Sequence, residues 1–262
     1  MPDFLFHLPL PLAGTLIIGS LCLYSYLGLV LIHRLIMPRL RETEENTDFT
    51  GAMVQAVMVF YGLAVALVAV NVWETYSEVS GTVSQEASRL GGLYRDVSSY
   101  PEPIRTELRG QLHGYATHVI DEAWPMQREG QSPAAGVRLM NRFQTTLCTF
   151  EPDSEGRKIL HGEALRSYNH LIEARRLRLD ATSVRLPGVL WFVVVFGACV
   201  SLASTFLFKI GDFRLHIIQV LLLSIFVGLV ITLILAFDRP FQGDLAIGPE
   251  PYRLIRDQLM DD

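Results

Sequence analysis

Three polar side chains interrupt an apolar run at residues 49–73, and their positions suggest contact with a permeating solute. Gln55 and Asn71 lie near the two ends of the run, and Tyr61 lies between them. Small residues on the same run permit close approach of neighbouring helices. They are Gly51, Ala52, Ala56, Gly62, Ala64, Ala66 and Ala69. Two interpretations follow: tight helix packing, or a pore that Tyr61 narrows and that Gln55 and Asn71 line with polar rings at its mouths.

Catalytic and metal chemistry find little support in the residues. The chain has no Gly-x-Ser-x-Gly, no His-Glu-x-x-His and no phosphate-binding glycine loop. His113 and His118 are five residues apart, so they do not share a helical face as a zinc-binding pair would. Cys22 and Cys199 fall in apolar runs, which leaves Cys148 alone in the polar region. The sequence therefore predicts no enzyme, no catalytic residue, no metal site and no cofactor.

A charged pair is predicted in the polar region between the apolar runs. If the first and last helices of that region run antiparallel from one membrane plane, Glu86 lies within about one turn of Arg175 and Arg176. The resulting ion pair would be structural and would contribute about 0–1 kcal/mol if exposed. Solvated charges on two unrelated faces are the alternative.

A second charged motif follows the last apolar run. Asp238 and Arg239 stand where that run ends, and Pro240 and Gly243 come directly after them. Proline and glycine end helices, so the motif predicts a defined helix exit and a sharp turn. The alternative is an arginine that extends to the membrane surface beyond a simple helix stop.

Four runs without Asp, Glu, Lys or Arg dominate the chain, at residues 8–32, 49–73, 186–208 and 215–237. Each is long enough to cross about 30 Å of hydrocarbon as a helix. The first run is longer than a signal-peptide core and follows no basic residue, so we expect it to remain as a span. Residues 8–73 are then a first transmembrane hairpin, with spans at about 10–33 and 50–73. Residues 186–237 are a second hairpin.

Residues 74–185 show helical periodicity throughout, and residues 238–262 are a C-terminal tail. Apolar residues at alternating spacings of three and four extend the second span to Val97, before Pro101 and Pro103 stop it. A second helix is expected over residues 104–123, and Trp124 should end it. A third helix should begin at Ser132, and a fourth at Asp153 or Ser154. The polar region is thus predicted to be a helical bundle outside the membrane.

The composition indicates which kinds of partner the protein binds. Half of the residues are hydrophobic, 19% are charged, and the formal net charge is −5. Acidic and basic residues nearly balance in the polar region, whereas nucleic-acid binding needs clustered Lys and Arg. We expect the lipid bilayer as the chief partner and no nucleic acid.

Several segments together resemble the bestrophin-like family of four-span bacterial and plant membrane proteins. The matching residues are Glu86 and Ala87, Leu93 to Asp96, Asp121 to Pro125, Glu173 to Leu179, Leu186 to Trp191, and Asp238 to Gly243. They cover nearly the whole chain. The resemblance implies likeness to bestrophins, which are pentameric anion channels with four spans per subunit, although this chain lacks the acidic calcium-binding cluster of animal bestrophins.

The sequence thus predicts an all-α integral membrane protein in which two transmembrane hairpins flank an extramembrane helical bundle. Its predicted function is an oligomeric ion channel lined by span two, with an inorganic ion as solute. The alternative is a membrane-anchored sensor or scaffold whose bundle binds a ligand or partner protein. We expect a multi-pass protein of the bacterial inner membrane. The arginines after the first span, Arg34, Arg39 and Arg41, would place that connection in the cytoplasm. The count of all arginines that flank the spans and the analogy with bestrophins instead favour a cytoplasmic bundle and cytoplasmic termini.

Overall fold

A computed structural model describes residues 6, 8–35, 44–129, 131, 135–208 and 212–261, without the side chains of residues 44–48. The described part contains helices and no β-strand. The helices are α1 (Leu10–Leu35), α2 (Glu44–Val97), α3 (Ile104–His118), α4 (Trp124–Arg128), α5 (Ala135–Thr149), α6 (Glu155–Ala181), α7 (Gly188–Thr205), α8 (Phe213–Phe237) and α9 (Glu250–Ile255). π-Helical turns follow α3 at Val119–Ala123 and α9 at Arg256–Met260.

Among the described residues, four helices are long and apolar enough to span a membrane: α1, the part of α2 from Phe49 onward, α7 and α8. The predicted all-α, four-span fold class is confirmed. α2 is one unbroken helix of 54 residues, so the second span continues into the polar region as the apolar periodicity indicated. Arg39 and Arg41, which follow the first apolar run in the sequence, and the predicted helix start at Ser132 lie outside the described residues.

The chain divides into two compact units, which are described separately. The membrane unit comprises Met1–Thr75 and Arg185–Arg239. The bundle unit comprises Tyr76–Val184 and Pro240–Asp262, so the C-terminal tail belongs to the bundle unit.

In the membrane unit, α1 and α8 are the most closely packed helices. Gly228 makes this possible, because a Cβ atom there would lie 2.8 Å from Cγ1 and 3.1 Å from Cα of Ile18. Ser224 donates a hydrogen bond of 2.7 Å to the Ser25 hydroxyl across the same contact, and both serines are fully buried. Small residues and a hydroxyl pair thus join two helices without any charge.

In contrast, the span of α2 is the least covered of the four. Only 17% of its most apolar stretch is buried, against 39% in α8. Its buried side presents Val54, Val65 and Val72. Gly62 has nothing within 4 Å of where a Cβ atom would stand. Gly62 therefore does not serve close packing inside the single chain, whereas Ala69 packs against the core of the membrane unit.

The bundle unit has an apolar core to which α2, α3, α5 and α6 contribute. Its fully buried members include Val83, Leu90, Val97, Leu108, Leu112, Phe143, Leu147 and Leu171. Ser154 begins α6 as predicted, because its hydroxyl accepts a hydrogen bond from the backbone N–H of Arg157.

One helix boundary was predicted wrongly. Helical backbone does not end at Trp124 but passes through the π-helical turn Val119–Ala123 into α4. The backbone N–H of Trp124 donates to the carbonyl of Val119, five residues earlier. Pro125 stands at the start of α4, where its missing N–H costs little. The widened turn thus accommodates a proline that would otherwise break the helix.

We expect Gly228→Ala to lower the stability of the membrane unit by about 1–3 kcal/mol, because the added methyl group would clash with the backbone of Ile18. Gly19→Ala is the matched control, since Gly19 lies on α1 with nothing within 4 Å of the new atom. Both variants gain the same helix propensity. Thermal unfolding of the full chain in detergent would measure the difference, and equal melting temperatures would contradict close α1–α8 packing.

Candidate functional site

The bundle unit encloses a charged pair formed by Glu86 of α2 and Arg178 of α6. Arg178 Nε lies 2.5 Å from Glu86 Oε2, and Arg178 Nη2 lies 3.3 Å from Glu86 Oε1. The two residues are 0% and 1% exposed. Such a pair persists in a low-dielectric interior only if further hydrogen bonds satisfy the remaining donors and acceptors.

Residues that are far apart in the sequence supply those further hydrogen bonds. Tyr115 of α3 donates to Glu86 Oε1 at 2.9 Å, and Gln127 of α4 accepts from Arg178 Nη1 at 2.8 Å. The guanidinium carbon lies 5.4 Å from the ring centroid of Trp124 and 5.8 Å from that of Tyr252. Aromatic faces stabilise a cation at such distances. Four separate helices and the C-terminal segment therefore meet at one buried cation.

The electrostatics keep the Arg178 guanidinium protonated. Burial lowers the pKa of Arg178, but the phenol of Tyr252 and the carboxylate of Glu86 oppose that effect and hold the pKa well above its usual value. Burial and the adjacent Glu86 carboxylate raise the pKa of Tyr115, so its phenol remains a donor. The arrangement offers no nucleophile with an adjacent base, and it is suited to holding helices in register.

The ion pair predicted for Glu86 with Arg175 or Arg176 was wrong in its partner. Arg176 is 85% exposed on its side chain and lies 4.0 Å from Asp180, while Arg175 faces Gly136. The prediction counted helical rise back from residue 186, but α6 ends at Ala181. Non-helical residues cover up to about twice the distance per residue, so the level of Glu86 falls later in α6.

Arg178 itself was missed, although its signal is in the sequence. It shares a face with the buried Leu171, Ala174 and Ala181, at spacings of seven, four and three residues. An arginine on an otherwise apolar face needs an acidic partner, and Glu86 stands in the same way among Val79, Val83, Leu90 and Leu93 of α2. The matching of two such faces would have identified the pair.

In the membrane unit, Asp238 joins the end of α8 to the start of α7. Its Oδ1 accepts from the backbone N–H of Leu186 at 2.5 Å, and its Oδ2 accepts from Trp191 Nε1 at 3.0 Å. Burial raises the pKa of this carboxyl group, while the two N–H donors act in the opposite direction. Arg239 places its guanidinium carbon 3.8 Å from the ring centroid of Phe6.

The rest of the exit motif folds within the bundle unit. The carbonyl of Pro240 accepts a hydrogen bond of 2.8 Å from Ile247 N–H, and Gly243 adopts a φ of +81° that favours glycine. Trp124 Nε1 donates to the Ile247 carbonyl at 3.0 Å. The four residues Asp238, Arg239, Pro240 and Gly243 thus occupy a defined exit and turn.

The three residues proposed to line a pore do not share a face of α2. At about 100° per residue, Asn71 lies about 160° around the helix from Gln55, and Tyr61 about 120° in the other direction. Gln55 and Asn71 are exposed in the single chain. The ring of Tyr61 packs against Gly197 of α7 and its hydroxyl donates to the Val194 carbonyl at 3.1 Å. Tyr61 is therefore placed for helix packing.

A double-mutant cycle should identify the Glu86–Arg178 pair as strongly coupled. Glu86→Gln leaves a buried cation without its partner, and we expect it to destabilise the protein by about 3–5 kcal/mol, with a similar loss for Arg178→Met. The double variant should lose less than the sum. Denaturant unfolding of the detergent-solubilised chain, followed by tryptophan fluorescence, would measure each term.

The exposed Glu163–Arg166 pair provides the control cycle, because its side chains are 56% and 74% exposed. Its coupling should be about 0–1 kcal/mol. Additive losses at Glu86 and Arg178 would contradict the geometry of the buried pair.

Asp238→Asn should destabilise the membrane unit by about 1–3 kcal/mol, since an amide has one acceptor oxygen and turns an N–H group toward one of the two donors. Asp180→Asn is the control, because the Asp180 side chain is 73% exposed. Melting temperatures of both variants in detergent would test the prediction, and equal values would contradict a structural role for the carboxylate.

The chain is similar to a known protein family in sequence and to solved membrane proteins in structure. The Bestrophin-like domain matches residues 21–252. A crystal structure of a bacterial bestrophin homologue from Klebsiella pneumoniae superposes with a TM-score of 0.60 at 14% identity, covering 94% of this chain and 97% of that chain. A variant of a K. pneumoniae homologue gives a TM-score of 0.63 at 12% identity, with coverages of 95% and 99%. A crystal structure described as a membrane protein gives 0.68 at 11% identity, with coverages of 93% and 96%.

A search of curated proteins finds no match. At such low identity the structural similarity shows the fold alone, whereas the domain match extends over most of the sequence. The four spans, the helical bundle and this match agree with the resemblance carried by the sequence motifs. The chain belongs to the bestrophin-like family.

Proposed function

We propose that this chain forms an oligomeric ion channel in which α2 lines the pore. The observation that carries the proposal is an uncharged stripe of mostly small residues that the single chain leaves open. In the membrane unit this open stripe consists of Gln55, Val59, Gly62 and Ala66, and the half-buried Ala69 follows them. They follow one another at spacings of three and four residues, so they share one face of the helix.

Small side chains on an uncovered helical face allow several copies of that helix to approach a common axis. Because residues 50–73 contain no charged side chain, the pore would be apolar along its length. Such a constriction gates by losing its water, and it does not use a ring of charges for selection. Gln55 is the one amide on the open stripe and would stand near one mouth.

The part of α2 in the bundle unit also exposes small hydroxyl-bearing side chains. Ser77, Ser84 and Ser88 of α2 are exposed, and Gly81 between them has nothing within 4 Å of a Cβ position. The hydroxyls of Ser84 and Ser88 donate to carbonyls one turn earlier, at 3.1 and 2.9 Å. Within the bundle unit by itself, this face of α2 is therefore small and uncharged.

Family membership supports the same proposal, since the resemblance is to bestrophins, a family of oligomeric channels. The proposed assembly is a homo-oligomer in the bacterial inner membrane, non-enzymatic, with the bundle and both termini in the cytoplasm. The role of Asn71 and Tyr61 in the pore remains a prediction. Tyr61 would support the pore-lining helix α2 through its contact with α7.

Reconstitution of the full chain into liposomes tests the proposal. Flux of Cl⁻ and of K⁺ should each be measured against protein-free vesicles, and at least one should exceed them. Gly62→Leu adds bulk to the open stripe and should lower that flux about tenfold or more, because it obstructs a narrow apolar passage.

Gly19→Leu is the matched control, since Gly19 also lies on a span in open space, and it should conduct as the natural chain does. The size of the assembly should be compared by gel filtration for all three proteins. Absence of flux for both ions would overturn the channel, and undiminished flux in Gly62→Leu would overturn the assignment of α2 to the pore.

A further inference from the structure

An apolar groove with a volume of about 490 Å³ runs along α1 in the membrane unit. Its described lining extends from Tyr24 to Leu35, the last residue of the helix, and includes Leu27, Gly28 and Leu31. At the helical rise of 1.5 Å per residue, this is a length of about 16 Å. Ligand pockets commonly have volumes of about 300–1,000 Å³, so the groove is large enough for a small molecule or part of a lipid.

The end of the groove at Tyr24 is apolar. The hydroxyl of Tyr24 donates to the Cys199 carbonyl at 3.1 Å, which satisfies the polar atom of this side chain. The ring of Tyr24 lies 5.9 Å from that of Phe206, measured between centroids. Phe206 can approach α1 because a Cβ atom on Gly28 would overlap its ring. This part of the groove therefore suits a hydrocarbon chain and offers no polar side chain of its described lining to a ligand.

The opposite end of the groove carries a positive charge. Arg34 lines the groove and stands in the last turn of α1. It is exposed, and no acidic side chain in the described ranges of the sequence forms an ion pair with it. The preceding residue, His33, is engaged differently, because its ring centroid lies 4.5 Å from that of Phe213. Arg34 therefore presents an unneutralised guanidinium at one end of an apolar groove.

The position of the groove along the span gives its two ends different surroundings. The charge-free run of the first span ends at Ile32, so Arg34 stands where the hydrocarbon gives way to the headgroup layer. Tyr24, Leu27 and Leu31 lie deeper, at the level of the acyl chains. A charge at headgroup level above an apolar groove is the order of groups that a phospholipid has, with its phosphate outward and its chains inward.

We propose that this groove binds one anionic phospholipid, with its phosphate on Arg34 and an acyl chain along Leu31, Leu27 and Gly28. A guanidinium donates two parallel hydrogen bonds to the oxygens of one phosphate. The acyl chain is surrounded by hydrocarbon both in the bilayer and in the groove, so the groove positions the lipid and the arginine selects its charge. In a zwitterionic lipid the amine of the headgroup opposes the attraction between Arg34 and the phosphate.

The site does not depend on the proposed channel, because its test measures lipid binding and not conduction. Native mass spectrometry of the full chain in detergent should compare phosphatidylglycerol with phosphatidylcholine of the same chain length. Phosphatidylglycerol should bind at least about fivefold more tightly, since a basic residue at the membrane surface attracts an anionic headgroup. Added salt should reduce this preference. sn-Glycerol 3-phosphate, which carries a phosphate without a chain, should not bind at the same concentrations.

Arg34→Gln removes the charge at the groove and should make the two lipids bind about equally. Arg214→Gln is the matched control. The contact between His33 and Phe213 places the start of α8 beside the end of α1, and the exposed Arg214 follows Phe213 directly. Arg214 is not part of the described lining of the groove, so its variant should keep the preference of the natural chain.

Leu31→Trp adds bulk inside the groove and should lower the binding of phosphatidylglycerol several-fold. Leu16→Trp is its control, because Leu16 lies on the same helix outside the described lining and is 54% exposed, against 58% for Leu31. Melting temperatures measured without added lipid would show that each variant is folded.

Equal binding of the two lipids to the natural chain would overturn the proposal, whatever the variants do. Equal losses in Arg34→Gln and Arg214→Gln would overturn it as well, because they would assign the preference to the general charge of the membrane surface. Undiminished binding in Leu31→Trp would contradict the groove, and equally tight binding of sn-glycerol 3-phosphate would show that the site takes a free phosphate and not a lipid.

Discussion

The carboxylate of Glu86 and the guanidinium of Arg178 are both removed from water, and this burial constrains the rest of the bundle unit. Each charge would be very unfavourable alone, so every neighbouring element must supply a partner at a fixed position. Tyr115 satisfies a carboxylate oxygen, Gln127 accepts an N–H, and two aromatic rings flank the cation. A slip of one residue in α2 or α6 would separate the pair. A buried ion pair adds little net stability compared with apolar packing, but it strongly favours one register of the helices.

The membrane unit follows the same rule with fewer polar groups. Asp238 has a backbone and an indole donor, and Ser25 and Ser224 bond to each other across α1 and α8. In hydrocarbon an unsatisfied polar atom costs several kcal/mol, so a span tolerates such groups only in pairs or at its ends. The family-like motifs therefore include a hydrogen-bonded buried polar group in each unit, the Glu86–Arg178 pair and Asp238. Their chemistry explains the fold and does not by itself explain the function.

Much of the fold could be predicted from the sequence, because its helices and spans follow from patterns of consecutive residues along the chain. Span length, apolar periodicity and the cap at Ser154 all follow from local residue order. Counting residues back from Leu186 missed the Glu86 partner, because that count depends on the conformation of residues 182–187. The buried face of α6, which carries Arg178, was the better signal. Likewise, continuation past Trp124 required the π-helical turn, for which no reliable sequence pattern exists. The pore-lining prediction considered only the positions of residues along the axis of α2. Around that axis, the predicted residues Gln55, Tyr61 and Asn71 lie on different faces.

The glycines of the spans show that the role of a small residue depends on what surrounds it in the folded chain. Gly14 and Gly228 look no different in sequence from Gly62, yet a Cβ atom would lie 3.0 Å from Thr232 at Gly14, 2.8 Å from Ile18 at Gly228, and in open space at Gly62. The first two are used within the chain, so helix proximity explains them fully. At Gly62 no contact inside the chain requires the absence of a side chain. Replacing either open glycine, Gly19 or Gly62, by alanine would gain about 1 kcal/mol of helix stability. In the proposed assembly, Gly62 differs from Gly19 because its small side chain would permit close approach of α2 to the same helix of a neighbouring subunit.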